Sequence, residues 1–248
     1  MNNWLLAFIL YGTVYISCNS IVHASDSESM IVVTEEWAPY NYKQADGKIT
    51  GSSTLVVEQT LRNSNIPYYI NIYPWARSYG LALNNANVLL YSTVRTPARE
   101  KLFHWVCPIN SVEYSIFKLT SRKDIIINSL DDLENYSTGI TRETFLHSFL
   151  DKHGLEKGVH FTATADNEAS FLNLLKERID LFIDTQEHID EQLVKHGLEP
   201  DSIMPVYNLY DDPDGRKELC MAISLKTPVV LVKKIRAEHQ KLIKKSKK

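Results

Sequence analysis

From Met30 onward the chain alternates between short β-branched runs and longer stretches whose apolar residues recur every three or four positions. Met30-Ile31-Val32-Val33-Thr34 reads as a buried strand, and Trp37-Ala38-Pro39-Tyr40 ends it in a loop carrying two aromatic rings. Asp46-Gly47 marks a tight turn, and Gly51-Ser52-Ser53 leads into a helix from Thr54 to Asn63 with Leu55, Val57, Thr60 and Leu61 roughly along one side. Tyr68 to Tyr73 alternates as a second strand. Pro74 opens a helix through Trp75, Arg77, Tyr79 and Leu83, and Val88-Leu89-Leu90-Tyr91-Ser92 is a third strand. Strands and helices alternating at this interval predict an α/β sheet with parallel pairing.

After Pro108 the pattern restarts. Tyr114 to Leu119 alternates as a strand, Leu130 to Leu133 begins a short helix, and Tyr136 to Thr141 is a strand around Gly139. A helix from Thr144 to Lys152 closes at His153-Gly154. Phe171 to Leu175 is helical, and a turn then leads into a buried strand ending at Asp184. The restart near residue 110 predicts a second α/β lobe. Glu218 to Leu225 is a further strand. The last helix is capped by Thr227, opened by Pro228, and striped with Leu231, Ile235 and Leu242.

Composition narrows the class. With 248 residues, 44% hydrophobic, and only 3 Cys, the chain is neither disordered nor a disulfide-dense scaffold. Charge is uneven: residues 233–248 carry eight Lys/Arg against Glu238, a segment of plus 7 in a chain of minus 3, which leaves minus 10 elsewhere. So acidic a body is a poor partner for nucleic-acid phosphates, and the basic residues read as the wet face of the last helix. Residues 4–17 form an uncharged apolar run, shorter than the roughly 20 residues a membrane span needs, ahead of Val22-His23-Ala24. This predicts a signal peptide over 1–24 and export to the periplasm. Lipid attachment at Cys18 is the alternative, although Tyr15-Ile16-Ser17 makes a poor lipobox. Export leaves Cys107 and Cys220, either one disulfide or two buried small hydrophobes. The apolar runs around both favour the second reading.

No Gly-x-Ser-x-Gly, His-Glu-x-x-His or phosphate-cradling glycine loop occurs, and His147, His153 and His160 miss the spacing that shares a metal on one helix face. No enzyme activity, cofactor or metal is expected. Polar groups instead gather at the carboxyl ends of the predicted strands, where open α/β sheets bind ligands. Glu36, Trp37 and Tyr40 follow the first strand, and Thr93, Arg95, Thr96 and Arg99 the third. Thr141, Arg142, Glu143 and Thr144 form a strand-to-helix turn whose free N–H groups favour an anion, and Asp184 ends a strand. Guanidinium and backbone donors on one side and a carboxylate on the other match a zwitterion. Taken singly, Arg99 also fits a surface ion pair, Trp37 a core residue and Arg142 a solvated helix start.

The order Val33-Thr34-Glu35-Glu36-Trp37-Ala38-Pro39-Tyr40, Asp46-Gly47-Lys48-Ile49-Thr50-Gly51, Thr93-Val94-Arg95-Thr96-Pro97-Ala98-Arg99 and Arg178-Ile179-Asp180 with Asp184 resembles extracellular solute-binding protein family 3, the periplasmic amino-acid-binding components of ABC transporters. The resemblance runs from about residue 30 to the end. It implies a type II periplasmic-binding-protein fold: two α/β lobes, 25–110 with 206–248 and 111–205, joined by two crossing strands and hinged around a central cleft. It further implies that Arg99 grips a ligand α-carboxylate with help from Thr141 and Arg142, and that Asp184 takes the amino group. Trp37, Tyr40, Thr93, Arg95 and Arg77 complete the expected site. Val94 and Ser52-Ser53 depart from the family pattern, and Arg95 with Arg77 widens the expectation toward a more anionic ligand. The partners implied are a small ligand and a membrane permease, with the protein a monomer. A lyase or dehydratase in the same clamp, or a periplasmic sensory module, are the alternatives.

Overall fold

The computed structural model describes residues 29–209 and 216–246. The expected signal segment, with Cys18, lies outside them. The first part of the chain forms β1 (Met30–Thr34), β2 (Tyr42–Lys43), β3 (Ile49–Thr50), α1 (Ser52–Asn63), β4 (Tyr68–Ile72), α2 (Trp75–Asn84), β5 (Val88–Val94) and β6 (Phe103–Glu113). Next come β7 (Ser115–Leu119), β8 (Thr138–Thr141), α3 (Phe145–Lys152), β9 (Phe161–Thr164), α4 (Asn167–Leu175), β10 (Leu181–Asp184), α5 (Gln186–Lys195) and β11 (Ile203–Asn208). The chain then returns in β12 (Arg216–Ser224) and α6 (Val229–Ser246).

Two five-stranded sheets result, ordered β4-β1-β5-β12-β6 and β11-β7-β10-β8-β9. The predicted parallel pairing holds for β1 with β4 and β5, and for β8 with β9 and β10. β12 and β7 run antiparallel to their neighbours, because each enters its sheet from the other lobe. Tyr114 alone links β6 to β7, so the two sheets meet across one residue. β11, which reaches Asn208, pairs with β7 in the second sheet.

Both faces of the first sheet are covered. Val32, Leu89, Val57, Leu61, Val232 and Ile235 pack on the side of α1 and α6, and Val33, Leu90, Trp75, Ala82 and Ala222 on the side of α2. In the second lobe Phe117, Phe182, Phe171, Leu174, Ile189 and Leu193 join β7 and β10 to α4 and α5. Complete burial of β5, the central strand, explains its continuous apolar reading.

Two local readings change. The pattern was expected to restart after Pro108, yet β6 runs through it to Glu113. A strand tolerates proline at a sheet edge, where the missing N–H breaks no ladder, and β6 pairs only with β12, at a bulge. Second, Cys107 and Cys220 are not separate buried thiols: they are disulfide-bonded, with Cα atoms 4.6 Å apart on these adjacent strands. Apolar surroundings fit either state of a cysteine pair, and only the β6–β12 register brings the two together.

Candidate functional site

β1, β5, β8 and β10 all direct their carboxyl ends at the groove between the sheets, which places Glu35, Val94, Thr141 and Asp184 around it. A cavity of about 30 Å³ there is lined by Arg99, Asp184, Glu35, Trp37, Trp75, Ser92, Tyr114 and Asn167, among others. That is room for about two water molecules.

Arg99 comes from the first lobe, beyond β5, and is 8% exposed. Its Nη1 donates to the Val94 carbonyl at 3.2 Å and its Nη2 to the Glu143 carbonyl of the second lobe at 2.7 Å. The guanidinium lies 5.5 Å from the Trp75 ring centre and 5.0 Å from that of Tyr79. Burial lowers its pKa, while Tyr79, Tyr114 and Glu35 act the other way.

Asp184 ends β10 at the start of α5 and is 2% exposed. Its Oδ1 accepts from Trp37 Nε1 at 3.0 Å and from the Thr185 N–H at 2.8 Å. Its Oδ2 has no hydrogen-bond partner, with His188 Nε2 3.8 Å away. Burial raises its pKa, against the opposing pull of His188, the Thr185 N–H and Trp37. The positive end of α5 also favours its charged form.

Further bonds close the lobes on each other. Tyr40 donates to Glu187 Oε2 at 3.0 Å, and Trp75 Nε1 to the Glu143 carbonyl at 2.8 Å. His188 Nδ1 lies 2.7 Å from the Ala38 carbonyl, an acceptor, so that nitrogen carries the proton. Gly51 lets the Tyr40 loop sit against α1: at φ 122° a Cβ there would lie 2.3 Å from the Tyr40 carbonyl oxygen. Two non-glycine residues with left-handed backbone, Ser92 at φ 56° and Glu143 at φ 62°, also belong to this region. Such strain persists where the surroundings hold it, commonly at working sites. The Glu143 turn presents the carbonyl that receives Trp75 and Arg99.

Of the expected site residues, Trp37, Arg99 and Asp184 line the cavity. Tyr40 packs on Trp37 with ring centres 4.5 Å apart, and buried Thr141 bonds to Asn167 of the lining. The others lie elsewhere. Thr93 is buried but lines no part of it, Arg95 is exposed and paired with Glu100, Arg77 is exposed over the Tyr73 ring, and Arg142 is exposed. The cations that suggested a more anionic ligand are therefore outside the cavity.

Glu35 is the main residue the sequence reading did not single out. It is 7% exposed with Oε2 unpartnered, and its pKa is raised to about 8 by burial and by Asp184, against the pull of Arg99. Glu35 also lines a second cavity of about 180 Å³, together with Glu36, Tyr73, Asp166, Glu168 and Gln192. Tyr114, the link between the sheets, stacks on Trp37 at 6.1 Å and meets Phe145 edge-on at 5.0 Å. Among the described residues no acid, histidine or cysteine group is arranged to hold a metal, and no helix is long and apolar enough to cross a membrane.

This architecture is the two-lobed periplasmic-binding-protein-like α/β fold. A histidine kinase sensor domain described as similar to periplasmic binding proteins matches with a TM-score of 0.77 at 14% identity, over 89% of this chain and 92% of that one. An ancestral arginine-binding protein bound to arginine matches with a TM-score of 0.72 at 14% identity, over 87% and 92%. The arginine-, lysine-, histidine-binding protein ArtJ from Geobacillus stearothermophilus matches with a TM-score of 0.73 at 16% identity, over 89% and 91%. No family model and no curated protein matches the sequence.

Proposed function

We propose that this is an exported solute-binding protein of the family 3 type, which captures an amino acid or a related small carboxylate between its lobes and delivers it to an ABC-type permease. The observation that carries this reading is that two buried residues, Arg99 from one lobe and Asp184 from the other, line one cavity. A buried guanidinium suits an α-carboxylate, and a carboxylate with one oxygen unpartnered suits an α-ammonium. In this reading the ammonium competes with Trp37 for Asp184, the rings of Trp37, Tyr40 and Trp75 cover the ligand, and Thr141 supports the second lobe's wall through Asn167. Structural likeness to amino-acid-binding proteins supports the assignment. We draw the lobe limits along the sheets, with residues 29–113 and 216–246 in the first lobe and 115–208 in the second.

A thermal-shift screen against the twenty L-amino acids tests this, because a ligand that binds only the folded state raises the melting temperature. At least one should do so, and Arg99→Ala and Asp184→Asn should each diminish the rise. A second reading, a ligand-sensing module for a signalling partner, is favoured by the likeness to a kinase sensor domain. Co-purification with a permease rather than with a signalling receptor separates the two.

A further inference from the structure

We propose that the cavity lined by Glu35, Glu36, Asp166, Glu168, Gln192 and Tyr73 is a subsite for a second, distal cationic group of the ligand, a guanidinium or an ammonium, so that the captured solute carries net positive charge. The inference rests on the reading of Arg99 and Asp184 given above and adds a ligand class to it.

The lining is rich in acceptors and holds no lysine, arginine or histidine. Two acceptors lack partners: Glu35 Oε2 and Gln192 Oε1, on residues 7% and 6% exposed. Buried acceptors without donors are costly, so the site favours a group that brings several N–H donors at once. The other three acids are partly engaged. Glu36 accepts from the Lys43 N–H, Asp166 caps α4 through the Ala169 N–H at 2.8 Å, and Glu168 pairs with Lys195 at 2.8 Å. Compensation is therefore found among these three acids and is missing at Glu35 and Gln192.

The two cavities meet at Glu35, which lines both. Together their linings carry Glu35, Glu36, Asp166, Glu168 and Asp184 with one cation, Arg99, and Lys195 and His196 reach Glu168 from outside the linings. A neutral zwitterion pairs with Arg99 and Asp184 and leaves Glu35 and Gln192 unanswered, whereas a distal group that brings several N–H donors answers both. Since Glu35 holds a proton near neutral pH, an arriving cation takes that proton's place and releases it.

Calorimetric titration with L-arginine, L-citrulline and agmatine tests the subsite. Citrulline keeps the shape of arginine but lacks the distal charge, and agmatine keeps the guanidinium but lacks the carboxylate. Arginine should bind about 10- to 100-fold more tightly than citrulline, the range of a charge-assisted contact. Titrations in buffers of different ionisation heat should show proton release with arginine and less with citrulline. Glu35→Gln and, separately, Gln192→Leu should each shrink the arginine-to-citrulline ratio, so that one poorly folding variant does not decide the outcome. Equal affinity for arginine and citrulline overturns the subsite and leaves the Arg99–Asp184 reading standing. Agmatine binding as tightly as arginine overturns that reading and keeps the subsite. Absence of binding by all three overturns the subsite.

Discussion

The two lobes bring opposite hydrogen-bonding chemistry to the cleft. The first presents donors on stiff or buried groups: the indoles of Trp37 and Trp75, the Tyr40 hydroxyl and the Arg99 guanidinium. The second answers with acceptors, namely Asp184, Glu187 and the Glu143 carbonyl. His188, donating to Ala38, runs the other way. Donors on one wall and acceptors on the other let the lobes meet directly, and a ligand must compete for the same groups. The contrast teaches where selectivity comes from. An ammonium or guanidinium competes for the second lobe's acceptors, a carboxylate for Arg99, and Glu35 and Glu36 are first-lobe acids that break the division.

Breaking the first lobe's framework should have the largest effect. The Cys107–Cys220 bond joins residues 113 apart in sequence, so Cys107→Ser with Cys220→Ser should lower unfolding stability by about 2–5 kcal/mol in urea denaturation. No change would mean that β6 and β12 are held by packing alone.

Glu35 gives an effect of similar size, and its sign is fixed. Its folded-state pKa of about 8 lies above the ordinary 4.5, so its stabilising contribution is full below pH 4.5 and is lost as pH rises toward 8. Stability should fall by roughly 3–5 kcal/mol across that window, an upper range for so buried a group. Asp184, also raised, adds in the same direction. Glu35→Gln should flatten the urea midpoint between pH 5 and 8. An equally steep fall in the variant would remove Glu35 from the account.

Arg99→Ala should weaken ligand binding by about 10- to 150-fold, the worth of a charge-assisted, desolvated contact. Undiminished affinity in calorimetry would put the carboxylate elsewhere. The smallest effect sharpens the contrast by control. Arg77→Ala, Arg95→Ala and Arg142→Ala, on exposed side chains, should each change binding by less than about twofold and stability by less than about 0.5 kcal/mol.

Most of the first lobe's elements were legible because β1, β5 and the amphipathic helices carry strong periodic signals. β9, α5 and β11 were not, being short or, like α5 (Gln186–Lys195), largely polar with few apolar positions to mark a face. The expected site residues that lie outside the cavity share a cause in parity. Ser92 and Val94 of β5 line the cavity, so alternation turns Thr93 and Arg95 away. Trp75 faces the cavity from α2, and Arg77, two residues or about 200° further round, faces out. Glu35 went unrecognised because a carboxylate that follows a strand reads as solvated, whereas in the fold it lies buried between the lobes. Asp184 and Arg99 drew attention because Asp184 ends a clear strand and Arg99 follows one in a familiar order.

The central claim, that one ligand is gripped at both poles by Arg99 and Asp184, is tested most directly by calorimetry on the native protein. The amino acid that stabilises it best is titrated beside two truncated forms, its decarboxylated amine and its deaminated acid. Each truncation should cost about tenfold or more in affinity, because each leaves one buried charge unanswered. If either truncated form binds as tightly as the whole amino acid, the cleft does not hold a zwitterion between these two residues.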